Sequence, residues 1–204
     1  MAHTRLFQVA INRPVDYEND QEPSTYDDSF MPDIQCIVPC DWAVEMSYKN
    51  FQEKLDDIDF FAGNVVNTLQ DLGAKEAELV SEKKAREVFI RFKLGSIVPI
   101  ITGYREHCIK AANDFKESFF QDKGVLDDGK GTLKMGDIYS FNRAIDVNRV
   151  ESFYVVEYDN YICSFRGLLS SLAVYYNNVL EEKGTIPEND YVDIYIGSVV
   201  DIHY

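Results

Sequence analysis

Three sets of residues in this chain have side chains capable of chemistry: a glycine-lysine loop, a histidine next to a cysteine, and runs of carboxylates. The loop is Gly124–Thr132, GVLDDGKGT. Gly124, Gly129 and Lys130 have the spacing of a nucleotide-binding phosphate loop, but Gly131 stands where Ser or Thr should hold magnesium, and Thr132 comes one position late. In such a loop a strand delivers the glycine turn and a helix starts at the lysine, so that backbone N–H groups cradle phosphate. Here a helical pattern runs into the loop through Phe115 to Lys123. Gly131, Gly136 and Asp137 follow it, and the charges of Asp127 and Asp128 would oppose a triphosphate. The stretch reads as a helix end followed by a glycine-rich turn.

His107 and Cys108 are neighbours on a helical pattern, where adjacent side chains diverge by about 100°, so they cannot form a nucleophile–base pair with each other. His107 is expected to be a partly buried structural histidine. His3 and His203 lie in segments that both read as strands, so they could meet across a sheet as a pair for a metal. Two histidines alone do not complete a ligand set. Cys36 and Cys40 have no second close pair, and a structural zinc site needs four ligands. Asp16, Glu18, Asp20 and Asp27 echo a calcium loop, but Gln21 stands where a glycine must turn the chain, and Asp27 where a bidentate Glu is needed. That segment reads as a solvated acidic loop. Glu53, Asp56, Asp57 and Asp59 interleave with an apolar stripe and so line the opposite face of a helix. No catalytic set, cofactor or metal is expected from these patterns.

The elements that would carry these residues follow from periodicity. Phe7, Val9 and Ile11 alternate within Arg5–Ile11 and predict a strand. Residues 12–33 hold Pro14, Pro23, Pro32 and many acids, and read as a long loop or interaction arm; Ile34 to Val38 reads as a short strand. Phe51, Leu55, Ile58, Phe61 or Ala62, Val65, Leu69 and Leu72 recur every three or four residues, predicting an amphipathic helix from Trp42 to Leu72 with Asp41 as N-cap. Ala74–Leu94 begins rich in Ala, Glu and Lys and is expected to continue as helix, although Val88, Ile90, Phe92 and Leu94 alternate like a strand. Ile97, Ile101, Tyr104, Cys108, Ala112, Phe115 and Phe119 mark a third helix, with Pro99 in its first turn. Phe165–Glu182 predicts a fourth, with Leu168, Leu169, Leu172, Tyr175 or Tyr176, Val179 and Leu180 inward. Ser152–Tyr158 predicts a strand, and Tyr191–Tyr204 a hairpin turning at Gly197-Ser198. Gly73, Gly95, Gly124 and Gly184 each follow a periodic segment, as helix caps do.

The fold class expected is therefore α+β and helix-rich: a single domain over 1–204, in which three to four amphipathic helices pack on a small mixed or antiparallel sheet. The sheet would be made of the N-terminal strand, the middle strand and the C-terminal hairpin.

The chain has 204 residues, with 20 basic against 35 acidic side chains and a net charge of −15. A surface of that sign repels phosphate backbones, so direct nucleic-acid binding is not expected. No apolar run reaches the ~18 residues of a membrane span, and no classical secretory signal opens the chain. A cytoplasmic location, or one inside an intracellularly assembled particle, is the expectation, with free thiols.

Tyrosine is the strongest functional hint. Tyr154, Tyr158, Tyr161, Tyr175, Tyr176, Tyr191, Tyr195 and Tyr204 crowd the C-terminal half, and tyrosine is enriched at protein interfaces. The expected function is non-enzymatic: a protein–protein interaction or structural subunit of a homo- or hetero-oligomer. Small α+β adaptor or connector subunits of viral particles share this combination of helices, reaching loops and strand edges. Tyr17, Tyr26, Phe30, Tyr191, Tyr195 and Tyr204 are the expected partner contacts. Two alternatives stand beside it. In the first, the acids Asp16, Glu18, Asp20, Glu53, Asp56, Asp57 and Asp59 form the face of an inhibitor or immunity protein that mimics nucleic acid against a basic partner. In the second, the chain is an enzyme working through His107 or the carboxylates of the first helix.

Overall fold

The alternation at the N-terminus forms β1 (His3–Ile11), in which Phe7, Val9 and Ile11 are all buried. The computed structural model describes residues 3–12, 42–45, 51–82, 87–121, 141, 144, 145, 151–155 and 162–203. After β1 come β2 (Trp42–Glu45), α1 (Phe51–Leu72), β3 (Glu78–Glu82), β4 (Glu87–Lys93), a short 3-10 turn (Leu94–Ser96) and α2 (Ile97–Gln121). The chain continues with β5 (Glu151–Val155), β6 (Ile162–Cys163), α3 (Phe165–Lys183) and β7 (Tyr191–His203). The fold is α+β, with helix predominating over strand among the described residues.

The strands make one seven-stranded sheet in the order β3-β4-β7-β1-β5-β6, with β2 also paired to β7. All pairings are antiparallel except β1 with β5, so the sheet is mixed. β7 is its spine. One side of β7 pairs with β1 from Ile194 to His203; the other pairs with β4 over Tyr191–Tyr195 and with β2 over Val200–His203.

The helices cover one face of this sheet. Val65, Leu69 and Leu72 of α1, Ile97 and Ile100 of α2, and Phe165, Leu168 and Leu172 of α3 join Phe7, Val9, Ile90, Phe92, Ile194 and Ile196 in a single buried cluster. Burying each of these side chains favours the fold by about 1.5–3 kcal/mol, which is why the three-and-four stripe and the period-two alternation meet on the same core.

α1 and α2 meet closely where α1 ends. Gly73 has a φ of 132° and closes α1 with paired bonds, from its own N–H to the Gln70 carbonyl and from Ala74 N–H to the Leu69 carbonyl. A Cβ added at Gly73 would lie 2.8 Å from Pro99 Cβ, and one at Gly103 of α2 would collide with the Leu72 backbone. The glycines let the two backbones approach. Gly184 ends α3 in the left-handed region, φ 71°, and donates to the Leu180 carbonyl.

Several expectations are corrected. Ala74–Leu94 is not a helix: it forms the hairpin β3–β4, in which Val88, Ile90 and Phe92 face the core. The period-two burial pattern and pairing with β7 override the helix propensity of the Ala, Glu and Lys residues. Gly95 therefore follows a strand, inside the 3-10 turn, rather than capping a helix. Trp42 does not begin α1 but lies in β2, paired with His203; the apolar stripe itself starts only at Phe51. The C-terminal segment is one strand and not a hairpin. Where β1 advances from Phe7 to Val9, β7 advances from Val199 to Ile196, so Gly197-Ser198 sits in a β-bulge. Ala112 is exposed while Ala111 is buried, and Leu180 is exposed, so both helical stripes are rotated slightly from expectation. Residues 34–38 and 124–132 lie outside the described residues.

Candidate functional site

Among the described residues, the sheet face opposite the helices carries a cluster of aromatic and charged side chains. Along β7, Val192, Ile194 and Ile196 are in the core, so Tyr191, Asp193 and Tyr195 occupy the other face. On β4 the same alternation places Phe89, Arg91 and Lys93 there. The register pairs Phe89 with Tyr195, Arg91 with Asp193 and Lys93 with Tyr191. Two of the expected contact residues, Tyr191 and Tyr195, are thus brought into one row on the most heavily paired strand.

The row is held by a forked ion pair. Arg91 Nε donates to Asp193 Oδ1 at 2.7 Å, and its NH2 to Oδ2 at 2.6 Å. The guanidinium also sits 4.9 Å from the centre of the Phe89 ring and 5.7 Å from that of Tyr191. The Phe89 and Tyr195 rings are 5.1 Å apart and tilted by 41°. Phe89 is buried, Tyr195 half-buried, and Tyr191 is 50 % exposed. The cluster therefore has a fixed base and an accessible tyrosine at its rim. With Tyr, Phe and Arg set on a rigid strand, it has the composition of a recognition surface.

Asn12 locks one end of this row. It stands just past β1 with a φ of 44°, a left-handed conformation that Asn tolerates better than most residues. Its Oδ1 accepts from Asp193 N–H at 2.5 Å, and its Nδ2 donates to Tyr175 Oη at 2.6 Å and more weakly to the Tyr191 carbonyl at 3.4 Å. Its backbone N–H donates to the Asp193 carbonyl at 2.8 Å. One residue thereby joins β1, β7 and α3.

Glu76 holds the other side of β4. Its Oε1 accepts from Ser96 Oγ at 2.5 Å and from Lys93 N–H at 3.1 Å. Partial burial alone would raise its pKa. The Ser96 hydroxyl, the backbone N–H groups of residues 76 and 93, and the Lys93 charge outweigh that and hold the carboxyl below its ordinary value. Nearby, Lys183 pairs with Asp190 at 2.8 Å, and that carboxylate raises the lysine above its usual pKa.

The remaining candidates fall as follows. His107 is half-buried on α2 with Nε2 2.9 Å from the Ala144 carbonyl, so it carries its proton there and acts as a tether. Cys108 Sγ lies 3.9 Å from the Ile145 carbonyl and is a free thiol. The two side chains bond to neighbouring carbonyls and not to each other. His3 and His203 do meet: the β1–β7 register sets them directly opposite. Glu53, Asp56, Asp57 and Asp59 all stand on α1, and Asp59 is exposed. Tyr17, Tyr26, Phe30, Tyr204, Asp16, Glu18 and Asp20 lie outside the described residues. β7 is not a free edge, because both its sides are paired. Among the described residues no three His, Cys, Asp or Glu side chains are grouped to hold a metal. Among them, too, no helix is long and apolar enough to cross a membrane.

Phe89, Arg91, Asp193 and Asn12 were not singled out by sequence patterns. The signal was present for two of them: a helical reading hid the alternation of Phe89 and Arg91 with Val88, Ile90 and Phe92. For Asp193 and Asn12 no local pattern marks the contact, which joins residues at opposite ends of the chain. Comparison with protein-family models, with curated proteins and with solved structures finds no match to this chain.

Proposed function

We propose that this chain is a non-enzymatic protein–protein interaction or structural subunit of a homo- or hetero-oligomeric assembly, and that it engages its neighbours through the sheet face bearing Tyr191. The observation that carries the proposal is the row Phe89–Arg91–Tyr191–Tyr195. A tyrosine half open to solvent stands beside an arginine already fixed by a forked carboxylate, so little side-chain entropy is left to lose on binding. Further apolar surface supports the reading. Val98 is 49 % and Ile109 52 % exposed, and their spacing puts them on the same side of α2, together with exposed Thr102, Arg105 and Ala112. A particle adaptor or connector is one assembly that would use both faces.

The test is the mass of the native particle at low and high salt, for the parent and for Tyr191→Ala. The proposal expects a discrete oligomer or heteromeric complex that survives high salt and weakens at least tenfold in the variant. A monomer whose only captured partner is basic and released by salt would overturn it, in favour of an acidic inhibitor acting by charge.

A further inference from the structure

We infer that a second copy of this chain docks on α2, antiparallel about a two-fold axis, through the exposed stripe Val98, Thr102, Arg105, Ile109 and Ala112. The inference rests on the assembly reading above and names one of its neighbours. α2 packs on both α1 and α3. Its inner face is taken up by buried Ile97, Ile100 and Ala111, and on one flank Gly103 meets the Leu72 backbone. On the other flank Cys108 lies against the Ile145 carbonyl, and the Phe115 ring stands 4.7 Å from that of Phe141. The stripe between these flanks is open, and its spacings of four, three, four and three are those of a two-helix seam. Val98, 49 % exposed, and Ile109, 52 % exposed, are its large apolar positions. Ala112 is small enough to let a second helix approach.

Charge selects the occupant. Two copies of a chain with a net charge of −15 repel, so contact between them is favoured where the local charge balances. The exposed charges of α2 between Val98 and Asp114 are Arg105, Glu106, Lys110 and Asp114, two of each sign. The exposed charges described on α1, Asp59 and Asp71, are both acidic. A two-fold contact uses the same patch on both copies. With the axis at the level of Cys108, Glu106 of each copy stands opposite Lys110 of the other, on the same side of the seam, and both pairs are of opposite sign. Ile109 meets its counterpart at the centre, and the Arg105 stem lies beside Ala112 of the second copy. The two Arg105 side chains start about 9 Å apart along the helices, from a rise of about 1.5 Å per residue. A parallel pair would instead set Glu106 against Glu106 and Arg105 against Arg105.

The experiment is sedimentation equilibrium of the untagged protein over a range of concentrations. The expected result is a monomer–dimer equilibrium that Ile109→Glu weakens roughly tenfold or more. Ile109 is half exposed, so the substitution leaves the fold intact, which thermal unfolding checks. Glu106→Lys and Lys110→Glu should each weaken the dimer by about fivefold, and an equimolar mixture of the two variants should pair again as a heterodimer. The variant carrying both substitutions should associate as the parent does, because the reversal restores opposite signs across the seam. Tyr191→Ala should reduce a larger assembly to this dimer and leave the dimer itself unchanged. An α2 dimer that persists while Tyr191→Ala alters no complex would support the inference and sink the role of the Tyr191 face alone. A parent that stays monomeric at every concentration, or single variants that associate as the parent does, would overturn the inference. A dimer lost in Tyr191→Ala and kept in Ile109→Glu would also overturn it, and would place self-association on the Tyr191 face.

Discussion

The close approach of α1 and α2 can be tested by making one substitution at two glycines. Gly63 is within α1, and a Cβ built there meets nothing within 4 Å. Gly63→Ala should therefore show only the helix-propensity gain, about 0.5–1 kcal/mol, because alanine loses less backbone entropy on folding. Gly103 is within α2 and gains the same term. Its Cβ, however, would come within 3.1 Å of the Leu72 carbonyl carbon and 3.2 Å of the Leu72 Cα, and closer still to the carbonyl oxygen. These are backbone atoms in the last turn of α1, which Gly73 and Ala74 hold in place by their bonds to Gln70 and Leu69. No side chain can swing aside, so one helix must move by on the order of an ångström against a close-packed core. Overpacking of this kind costs about 1–3 kcal/mol, and a backbone collision belongs at the upper end. The net for Gly103→Ala is a loss of about 2 kcal/mol, or a fall in Tm of roughly 4–8 °C for a domain of this size. Urea and thermal unfolding of the two variants measure both terms, and the expected gap between them is about 3 kcal/mol. If Gly103→Ala were as stable as the parent, the helices would not meet at Leu72 and the packing described for α1 and α2 would be wrong.

Other substitutions probe the Tyr191 face and its supports. Arg91→Lys should cost about 0.5–1.5 kcal/mol, because lysine cannot reproduce the fork, and a double-mutant cycle with Asp193→Ala should give a coupling near 1 kcal/mol. That figure is reduced from a buried pair because the Arg91 side chain is 39 % exposed. Asn12→Ala should destabilise by about 2–3 kcal/mol, through lost hydrogen bonds and left-handed strain, while Asn12→Gly should be milder by about 1 kcal/mol, since glycine accepts that backbone. If the two were equal in a denaturation series, strain at Asn12 would be ruled out. Glu76 has a lowered pKa in the fold, so its contribution is present above the ordinary carboxylate value of about 4.3 and is lost as pH falls through the folded value. Glu76→Gln should flatten that part of the acid limb in a pH series of unfolding curves; an unchanged acid limb would argue against the Ser96 and Lys93 contacts.

Helices with a long apolar stripe were legible from sequence because the stripe records burial against a neighbour directly. Val65, Leu69 and Leu72 on α1, and Leu168, Leu169 and Leu172 on α3, are buried as their spacing implies. The failures share a cause. Ala74–Leu94 carries a helical composition over a strand's alternation, and pairing with β7, a hundred residues away, decides between them. Gly197-Ser198 looks like a turn because a turn and a bulge both need small residues; only the register with β1 separates the two. Of the candidate surface, Tyr191 and Tyr195 were visible by residue type, and the His3–His203 meeting followed from two strands at the two ends. The fork of Arg91 and the lock of Asn12 were not visible, because each depends on which strands lie side by side.

The position of β7 also bears on how the chain reaches its fold during synthesis. β1, β2 and β4 all leave the ribosome before β7, the strand that each of them pairs with at the centre of the sheet. α1 and α2 are nearer in sequence and can pack on one another early, but β1 finds its partners only in β5 and β7, far along the chain, with Arg5 opposite Glu151 and His3 opposite His203. Loop closure over that separation makes sheet assembly the slow step. Until it occurs, the edges of β1 and β4 that β7 covers stay open to other chains, so a nascent or truncated product ending before Tyr191 would be held in a form that aggregates or requires a chaperone.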